Sequence, residues 1–261
     1  MTSASRLILG MRVDATSYDD AARQIVGWAQ TSEPRYVCVA AVNNVIRGLD
    51  DVRFQRVMND ADLVTPDGMP LVWGLRRLGI RSATRVYGPD LTLAVLGRAE
   101  RDGLAVGFYG GTPRVLDALV AEVASRWPDL KIAYAYSPPF RDLTSEEDRE
   151  IVEAVNASGA KILFVGLGCP KQETWMARHR GQVIPVMVGV GAAFDFLAGA
   201  KRQAPVALRK SGLEWLFRLA TEPRRLTKRY LLQNPRFALL FGLQLIRAHT
   251  HRPEFTRKEI L

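Results

Sequence analysis

The chain is organised around the stretch ILFVGLGCPKQETW, residues 162–175. Four apolar residues at its start are typical of a buried strand, and Gly166 and Gly168 then let the backbone turn tightly. Pro170 stands where a helix begins. A strand, a glycine turn and a helix start in this order predict an anion site at the carboxyl edge of an α/β sheet. The alternative is an ordinary strand-to-helix loop.

Strands and helices alternate along the first 200 residues. The apolar run YVCVAAV, residues 36–42, is one of several buried strands, each followed by a helical stretch. This order predicts an α/β fold with a doubly wound, mainly parallel, Rossmann-like sheet. Beyond it the pattern is helical and broken by Pro223 and Pro235. We therefore expect an α/β catalytic domain in residues 1–200 and a helical appendage in residues 201–261.

Positive charge is concentrated in the predicted appendage. Residues 201–261 carry 14 Lys+Arg and 4 Asp+Glu, a net charge of +10, whereas the whole chain has +9. Such a basic segment suits nucleic acid, an anionic membrane surface or a phosphorylated substrate. The longest apolar runs, 183–194 and 237–246, are too short to span a membrane. The N-terminal residues do not match a signal peptide.

Cysteine, histidine and paired aspartates give little sign of a metal. Cys38 and Cys169 lie far apart beside apolar runs, which predicts two buried thiols in a reducing compartment. His179 has no ligand spacing and is expected on the surface. The triplet from Asp60 to Asp62 matches the metal-binding D-x-D motif of many nucleotide-sugar transferases, but this spacing of aspartates is common by chance. We predict no metal site.

Asp67 is the first candidate catalytic residue. It lies in a Pro-Asp-Gly turn directly after a predicted buried strand. A carboxylate at the carboxyl end of such a strand is where α/β proteins bind ligands, and it can accept a proton from an attacking hydroxyl. The alternative is an ordinary turn aspartate.

Several blocks of the sequence together resemble the WecG/TagA/CpsF glycosyltransferases (glycosyltransferase family 26). The resemblance runs from about residue 36 to 237. The blocks are PKQE (170–173), DLVTPDGMPLVW (62–73), RVYGPDL (85–91), FYGG (108–111), FDFLAG (194–199) and GLEWLFRLATEPRRLTKRY (212–230).

Two departures from the family pattern concern substrate contacts. The family's Thr-x-Asn corresponds here to Val39 and Ala41, with Asn43 and Asn44 close behind. The family's Arg-Ala-Pro is Gln-Ala-Pro here, with Arg202 one place earlier. These departures affect the sugar identities more than the reaction.

The resemblance implies three catalytic residues. Asp67 corresponds to the proposed general base. Arg85, whose planar fork matches phosphate oxygens, is expected to steady a departing diphosphate. The amide of Gln172 both donates and accepts, which suits a sugar or a phosphate.

Further residues are expected to bind substrate. Glycine turns can cradle phosphate. Asp90 can orient a sugar hydroxyl or cap a helix. In the family, the appendage is proposed to bring arginines to the active site. The expected substrate-binding residues are Asn43, Asn44, Asp90, Gly110, Gly111, Thr112, Gly168, Lys171, Glu173, Gly189, Gly191, Asp195, Arg218, Arg225 and Arg229.

The implied reaction is an inverting, metal-independent glycosyl transfer without a cofactor. The resemblance implies a UDP-sugar donor carrying a hexose or N-acetylhexosamine and a polyprenyl-diphosphate-linked sugar acceptor, in exopolysaccharide, teichoic acid or related glycan synthesis. It places the protein in the cytoplasm, peripherally attached to the inner face of the plasma membrane through the amphipathic appendage. A homo-oligomer is left open.

Two other classes of function agree less well with the sequence. A nicotinamide-dependent oxidoreductase needs G-x-G-x-x-G after the first strand, and YVCVAAV is followed by Asn43 and Asn44 instead. A nucleic-acid binder needs aromatic residues interleaved on a basic sheet face, whereas those of the appendage lie along helices. We therefore expect no nucleic-acid partner.

Overall fold

Two sheets are formed by the apolar runs of the chain. The described residues of the computed structural model are 4–205, 207–208 and 212–250, with the backbone only at 225, 228, 229 and 248–250. An antiparallel hairpin pairs β1 (Ser5–Ile8) with β2 (Met11–Asp14). The strands of the main sheet are β3 (Tyr36–Ala40), β4 (Leu63–Pro66), β5 (Val106–Gly110), β6 (Ile132–Tyr136), β7 (Ile162–Gly166) and β8 (Val186–Gly189).

The main sheet is parallel and doubly wound. Within the described residues it has six strands in the order β4-β3-β8-β7-β5-β6, and each neighbouring pair is parallel. Strands β3, β4, β5 and β8 are buried along their whole length, as expected when helices cover both faces. The predicted fold class is confirmed.

Helices connect the strands and cover both faces of the sheet. Local signals start several of them: Ser17 caps α1, Thr112 caps α6, and Thr144 forms a capping box at α7. The helices are α1 (Tyr18–Gln30), α2 (Val42–Asp50), α3 (Val52–Asn59), α4 (Met69–Arg77), α5 (Gly88–Arg101), α6 (Pro113–Arg126), α7 (Ser145–Ala157), α8 (Lys171–Arg178), α9 (Ala193–Leu197), α10 (Glu214–Thr221) and α11 (Pro223–Thr250).

Two hydrophobic cores lie on opposite faces of the sheet. One packs α2, α3, α4, α8 and the hairpin, and it includes Phe237 and Phe241 of α11. The other packs α1, α5, α6 and α9. The C-terminal helix therefore shares a core with the α/β body, because its aromatic residues are buried there.

Polar contacts also hold α11 against the rest of the chain. The Gln244 amide donates to Leu7 O (2.7 Å) and accepts from Leu9 N (2.8 Å), and Arg236 pairs with Asp50 at 2.6 Å. The predicted break at Pro235 is wrong, because α11 runs through it without interruption. Pro235 lies on the exposed side of the helix. Among the described residues, no helix combines the length and apolarity needed to cross a membrane.

Candidate active site

The loops that carry the predicted site residues converge on one edge of the sheet. Parallel strands present their carboxyl ends at the same edge, and most of the predicted residues follow β3, β4, β5, β7 or β8, whereas Arg85 lies just before α5 and Asp90 in its first turn. A pocket of about 120 Å³ opens where the loops after β3 and β4 meet α10 and α11. Its lining residues are Ala41, Val42, Asn43, Asp67, Gly68, Met69, Pro70, Arg85, Gly212, Glu214, Trp215, Arg218, Tyr230, Gln233 and Asn234.

Asp67 lies in the wall of this pocket. Its backbone N–H donates to Ala40 O (2.8 Å), which ties the turn after β4 to the end of β3. The side chain is 23% exposed. Burial raises the pKa of the Asp67 carboxyl above its ordinary value, and the positive charge of Arg85 opposes the rise. A carboxylate that is partly desolvated but still reachable is suited to accept a proton.

Arg85 holds two carboxylates at once. Its Nη2 donates to Asp67 Oδ1 (3.0 Å) and to Glu214 Oε2 (2.6 Å), and its Nε donates to the backbone oxygen of Asp67. The guanidinium also lies 4.4 Å from the ring centroid of Tyr87. Neighbouring carboxylates raise the pKa of Arg85 despite its burial, so the side chain stays charged. The geometry fixes Arg85 beside Asp67 from three directions.

Glu214 is a pocket residue that the sequence analysis did not select. It is the first residue of α10 and is 8% exposed. The only local signal is its place in the GLEWL block, and a glutamate in the first turn is also favoured by the helix dipole. Its partner Arg85 is 129 residues away, so no spacing rule points to the contact.

Arg218 places a second guanidinium at the pocket. Arg218 lies one turn of α10 after Glu214. The central carbon of its guanidinium, Cζ, lies 5.7 Å from the ring centroid of Phe196. The Arg218 Nε is buried and has no hydrogen-bond partner among the described residues. A buried donor without a partner is costly unless a ligand satisfies it. The side chains of Arg225 and Arg229 are outside the described part of the chain.

The two asparagines after β3 divide between the pocket and the interior. Asn43 lines the pocket, and its amide nitrogen lies 3.6 Å from Cys169 Sγ. Asn44 is buried; its side-chain oxygen accepts from Ala41 N (3.0 Å), and its Nδ2 donates to Glu173 Oε1 (3.4 Å). Asn43 is therefore the one of the pair that a ligand in the pocket can reach.

Gln172 and Glu173 are buried behind the pocket rather than in its lining. Gln172 Oε1 accepts from Gly168 N (3.2 Å) and Gly191 N (3.1 Å), and its Nε2 donates to Glu173 Oε1 (3.1 Å). Burial raises the pKa of Glu173, whose Oε2 has no partner among the described residues. In this structure Gln172 joins the turns after β7 and β8.

Two of the glycines predicted to cradle phosphate, Gly110 and Gly189, are closely packed. A Cβ on Gly110 would lie 2.6 Å from the backbone of Gly166, and one on Gly189 would lie 2.5 Å from Met176 Cε. Gly111 N donates to Gly166 O at 3.2 Å. Tight packing therefore accounts for Gly110 and Gly189 without a ligand. The neighbouring Thr112 caps α6.

The remaining predicted residues do not line the pocket. Asp90 accepts from the Tyr18 hydroxyl (3.4 Å), and Asp195 pairs with Lys201 at 3.2 Å. Lys171 is exposed and lies 3.5 Å from Asp142. The structure thus gathers Asn43, Asp67, Arg85 and Arg218 in one pocket and places the other described candidates elsewhere along the edge.

Two predictions about isolated side chains are wrong. Cys169 is exposed, although Cys38 is buried as expected. His179 is 4% exposed rather than on the surface. Its ring nitrogens lie 2.9 Å from Trp175 O and 3.0 Å from Asp148 Oδ2, and these two partners explain how a polar ring is buried.

The D-x-D triplet lies at the opposite edge of the sheet. Asp62 precedes β4 and binds Arg35 (2.8 Å) and Arg180 (2.9 Å), whereas Asp67 follows the same strand. Four residues of strand separate the two edges by roughly 13 Å. Throughout the described ranges, no group of three or more His, Cys, Asp or Glu side chains could hold a metal.

A doubly wound parallel sheet with a carboxylate-lined pocket at its carboxyl edge is typical of α/β enzymes, which bind their ligands at that edge. The chain matches the family model described as "Glycosyl transferase WecG/TagA/CpsF family" over residues 6–251. It belongs to this family and is a glycosyltransferase, in agreement with the resemblance found in the sequence. The oxidoreductase alternative is wrong.

One curated relative extends the comparison. The chain is similar to the N-acetylglucosaminyldiphosphoundecaprenol N-acetyl-beta-D-mannosaminyltransferase of Bacillus spizizenii, with 31% identity over 179 residues. The match covers 68% of this chain and 67% of that protein. Family and relative together support a place in cell-envelope polysaccharide biosynthesis.

Proposed function

We propose that this glycosyltransferase moves a hexose or N-acetylhexosamine from a UDP-sugar to a polyprenyl-diphosphate-linked sugar, with inversion and without a metal. The observation that carries the proposal is Asp67, a partly exposed carboxylate in the pocket, held by Arg85 beside the cationic Arg218. The name of the Bacillus relative supports a diphosphoundecaprenol-linked N-acetylglucosamine as the acceptor.

The transfer is a single displacement in which Asp67 is the general base. The acceptor hydroxyl loses its proton to the Asp67 carboxylate, and its oxygen attacks the anomeric carbon from the face opposite the diphosphate. The bond from that carbon to the diphosphate oxygen breaks, and the electron pair leaves with UDP. One proton then resides on Asp67, and one additional negative charge resides on the leaving group.

The two arginines of the pocket take different parts in this mechanism. Arg85 already pairs with the carboxylates of Asp67 and Glu214. The main effect of Arg85 is therefore to orient Asp67 and to favour the ionised form of the Asp67 carboxyl. Arg218 has a buried Nε without a partner in the described part of the chain. Its guanidinium is therefore suited to meet the charge that grows on the departing diphosphate.

The donor and the metal requirement can be tested in one assay. We expect transfer to a short-chain polyprenyl-diphosphate N-acetylglucosamine from one member of a panel of UDP-sugars, and we expect the rate to be unchanged by EDTA. UDP, but not NADH, should raise the melting temperature. Activity that is lost in EDTA and restored by Mn²⁺ would contradict metal independence, and absence of transfer from every UDP-sugar would contradict the donor class.

The C-terminal segment is proposed to attach the protein peripherally to the inner face of the plasma membrane. Residues 201–261 carry a net charge of +10, and large apolar side chains of α10 and α11 are exposed. Basic residues near an anionic leaflet contribute on the order of 1 kcal/mol each, and the apolar side chains add burial. The exposed apolar residues are Trp215, Leu216, Leu231, Leu232, Leu239, Leu243 and Ile246.

Salt should release the protein from membranes if this proposal holds. In sedimentation with phosphatidylglycerol vesicles we expect binding at low ionic strength that weakens steeply as NaCl rises, because screening removes the electrostatic attraction. Vesicles of phosphatidylcholine are the control and should bind less protein. Equal binding to both kinds of vesicle at all salt concentrations would contradict an electrostatic attachment.

A further inference from the structure

Glu214 connects the C-terminal helices to the proposed catalytic base. Its Oε2 lies 2.6 Å from Arg85 Nη2, and the same nitrogen lies 3.0 Å from Asp67 Oδ1. The three side chains form a partly buried carboxylate–guanidinium–carboxylate series in the pocket wall. Asp67 and Arg85 belong to the α/β body, whereas Glu214 is the first residue of α10. These contacts therefore link the C-terminal helices to the α/β body.

We infer that Glu214 is a positioning residue for the transfer, which holds Arg85 against Asp67 and sets the charge that the base experiences. The inference rests on the proposed function of Asp67. Glu214 reaches Asp67 through Arg85, which contacts both carboxylates. The C-terminal segment thereby contributes two residues to the pocket: Glu214, which positions Arg85 beside the base, and Arg218.

The position of the Arg85 side chain depends on Glu214. An arginine nitrogen that holds a single carboxylate can move about that contact, whereas Arg85 Nη2 is held between the carboxylates of Asp67 and Glu214. A buried ion pair loses its value when one partner is removed, because the other charge is left without compensation. Glu214 is 8% exposed, so solvent cannot replace it effectively.

Charged and titratable groups from several elements act on the Asp67 carboxyl. They are Arg85, Glu214, Arg218, Tyr18 and Tyr87, with Tyr230 facing Arg218 across the pocket. Burial raises the pKa of Tyr18 to about 12, and it also raises the pKa of Tyr87, so both phenols are neutral near pH 7. Among the described residues, the charged side chains that act on Asp67 are Arg85, Arg218 and Glu214.

The signs of these charges give opposite expectations for two variants. The negative charge of Glu214 raises the pKa of Asp67, and the positive charge of Arg85 lowers it. Glu214→Gln removes the negative charge but keeps an oxygen that can accept from Arg85, so the pKa of Asp67 should fall. Arg85→Gln removes the positive charge, so the same pKa should rise. Each shift is expected to be on the order of one pH unit.

The test is a ¹³C NMR titration of the Asp67 carboxyl, whose signal is assigned by its absence from Asp67→Asn. We expect the midpoint to move to lower pH in Glu214→Gln and to higher pH in Arg85→Gln. Glu150→Gln, an exposed change of the same charge on α7, is the matched control and should leave the midpoint unchanged. Equal midpoints in Glu214→Gln and Glu150→Gln would overturn the inference.

A second variant separates position from charge. Glu214→Asp keeps the charge but withdraws the carboxylate by one methylene group, so we expect a midpoint near that of the unchanged protein and a turnover reduced about tenfold or more. Full turnover in this variant would overturn the positioning role. The titration needs no donor or acceptor, so it tests Glu214 even if the chain fails to transfer sugar. Absence of transfer would count against the proposed function alone.

Discussion

Replacing Asp67 by asparagine should lower turnover by about 10²–10⁴-fold, the range typical of a well-placed general base. Asparagine has nearly the same shape, and its side-chain oxygen can still accept from Arg85, so the turn after β4 should survive. The backbone bond from residue 67 to Ala40 O does not involve the side chain. The expected loss is therefore chemical. Initial rates at saturating donor and acceptor measure it.

Donor binding separates this expectation from general damage. Calorimetric titration with the UDP-sugar should give nearly the same affinity for Asp67→Asn as for the unchanged protein, because the base acts on the acceptor hydroxyl. Asp117→Asn, an exposed change on α6, is the matched control and should retain full turnover. An Asp67→Asn protein that turns over at a near-normal rate would remove Asp67 from the mechanism.

Replacing Arg218 by glutamine should lower kcat/KM by about 10- to 100-fold. A hydrogen bond to a charged group contributes about 1.5–3 kcal/mol, and each 1.36 kcal/mol corresponds to a factor of ten in rate. The unpartnered Nε of Arg218 is placed to make such a bond with a diphosphate oxygen. Affinity for UDP should fall as well, because the product keeps the charge that Arg218 is proposed to meet.

Point substitution is the appropriate test for this arginine. Removal of residues 201–261 would also remove Phe237 and Phe241 from the core that they share with α2, and would confuse loss of folding with loss of a charge. Arg224→Gln, an exposed change at the start of α11, is the matched control and removes the same charge outside the pocket. Equal kcat/KM and equal UDP affinity in both variants would show that Arg218 does not contact the leaving group.

The fold could be predicted because local signals repeated along the chain. Apolar runs such as Ile162–Val165, each followed by a turn and an amphipathic stretch, specify parallel strands and covering helices. The strand order could not be predicted in this way, because register and neighbours depend on contacts across the sheet. The continuity of α11 was missed for a related reason. Pro235 reads locally as a break, but Phe237 and Phe241 hold the helix through tertiary packing.

The sequence identified several site residues but not their relations. Asp67 and Arg85 were found because each lies in a distinctive block, and both line the pocket. Their joint contact with Glu214 was not predicted, since 129 residues separate Glu214 from Arg85. Cys169 was predicted to be buried from its apolar neighbours, although a turn at the sheet edge exposes it. Local composition does not report such tertiary placement.

The configuration of the transferred sugar in the product shows whether the transfer is a single displacement assisted by Asp67. A UDP-sugar with an α-linked anomeric carbon should give a β-linked product on the polyprenyl-diphosphate acceptor, read from the anomeric proton coupling or the one-bond carbon–proton coupling in NMR. Attack from the face opposite the diphosphate requires this inversion. A product that retains the α configuration would contradict the mechanism, because it requires either two displacements or attack from the same face as the leaving group.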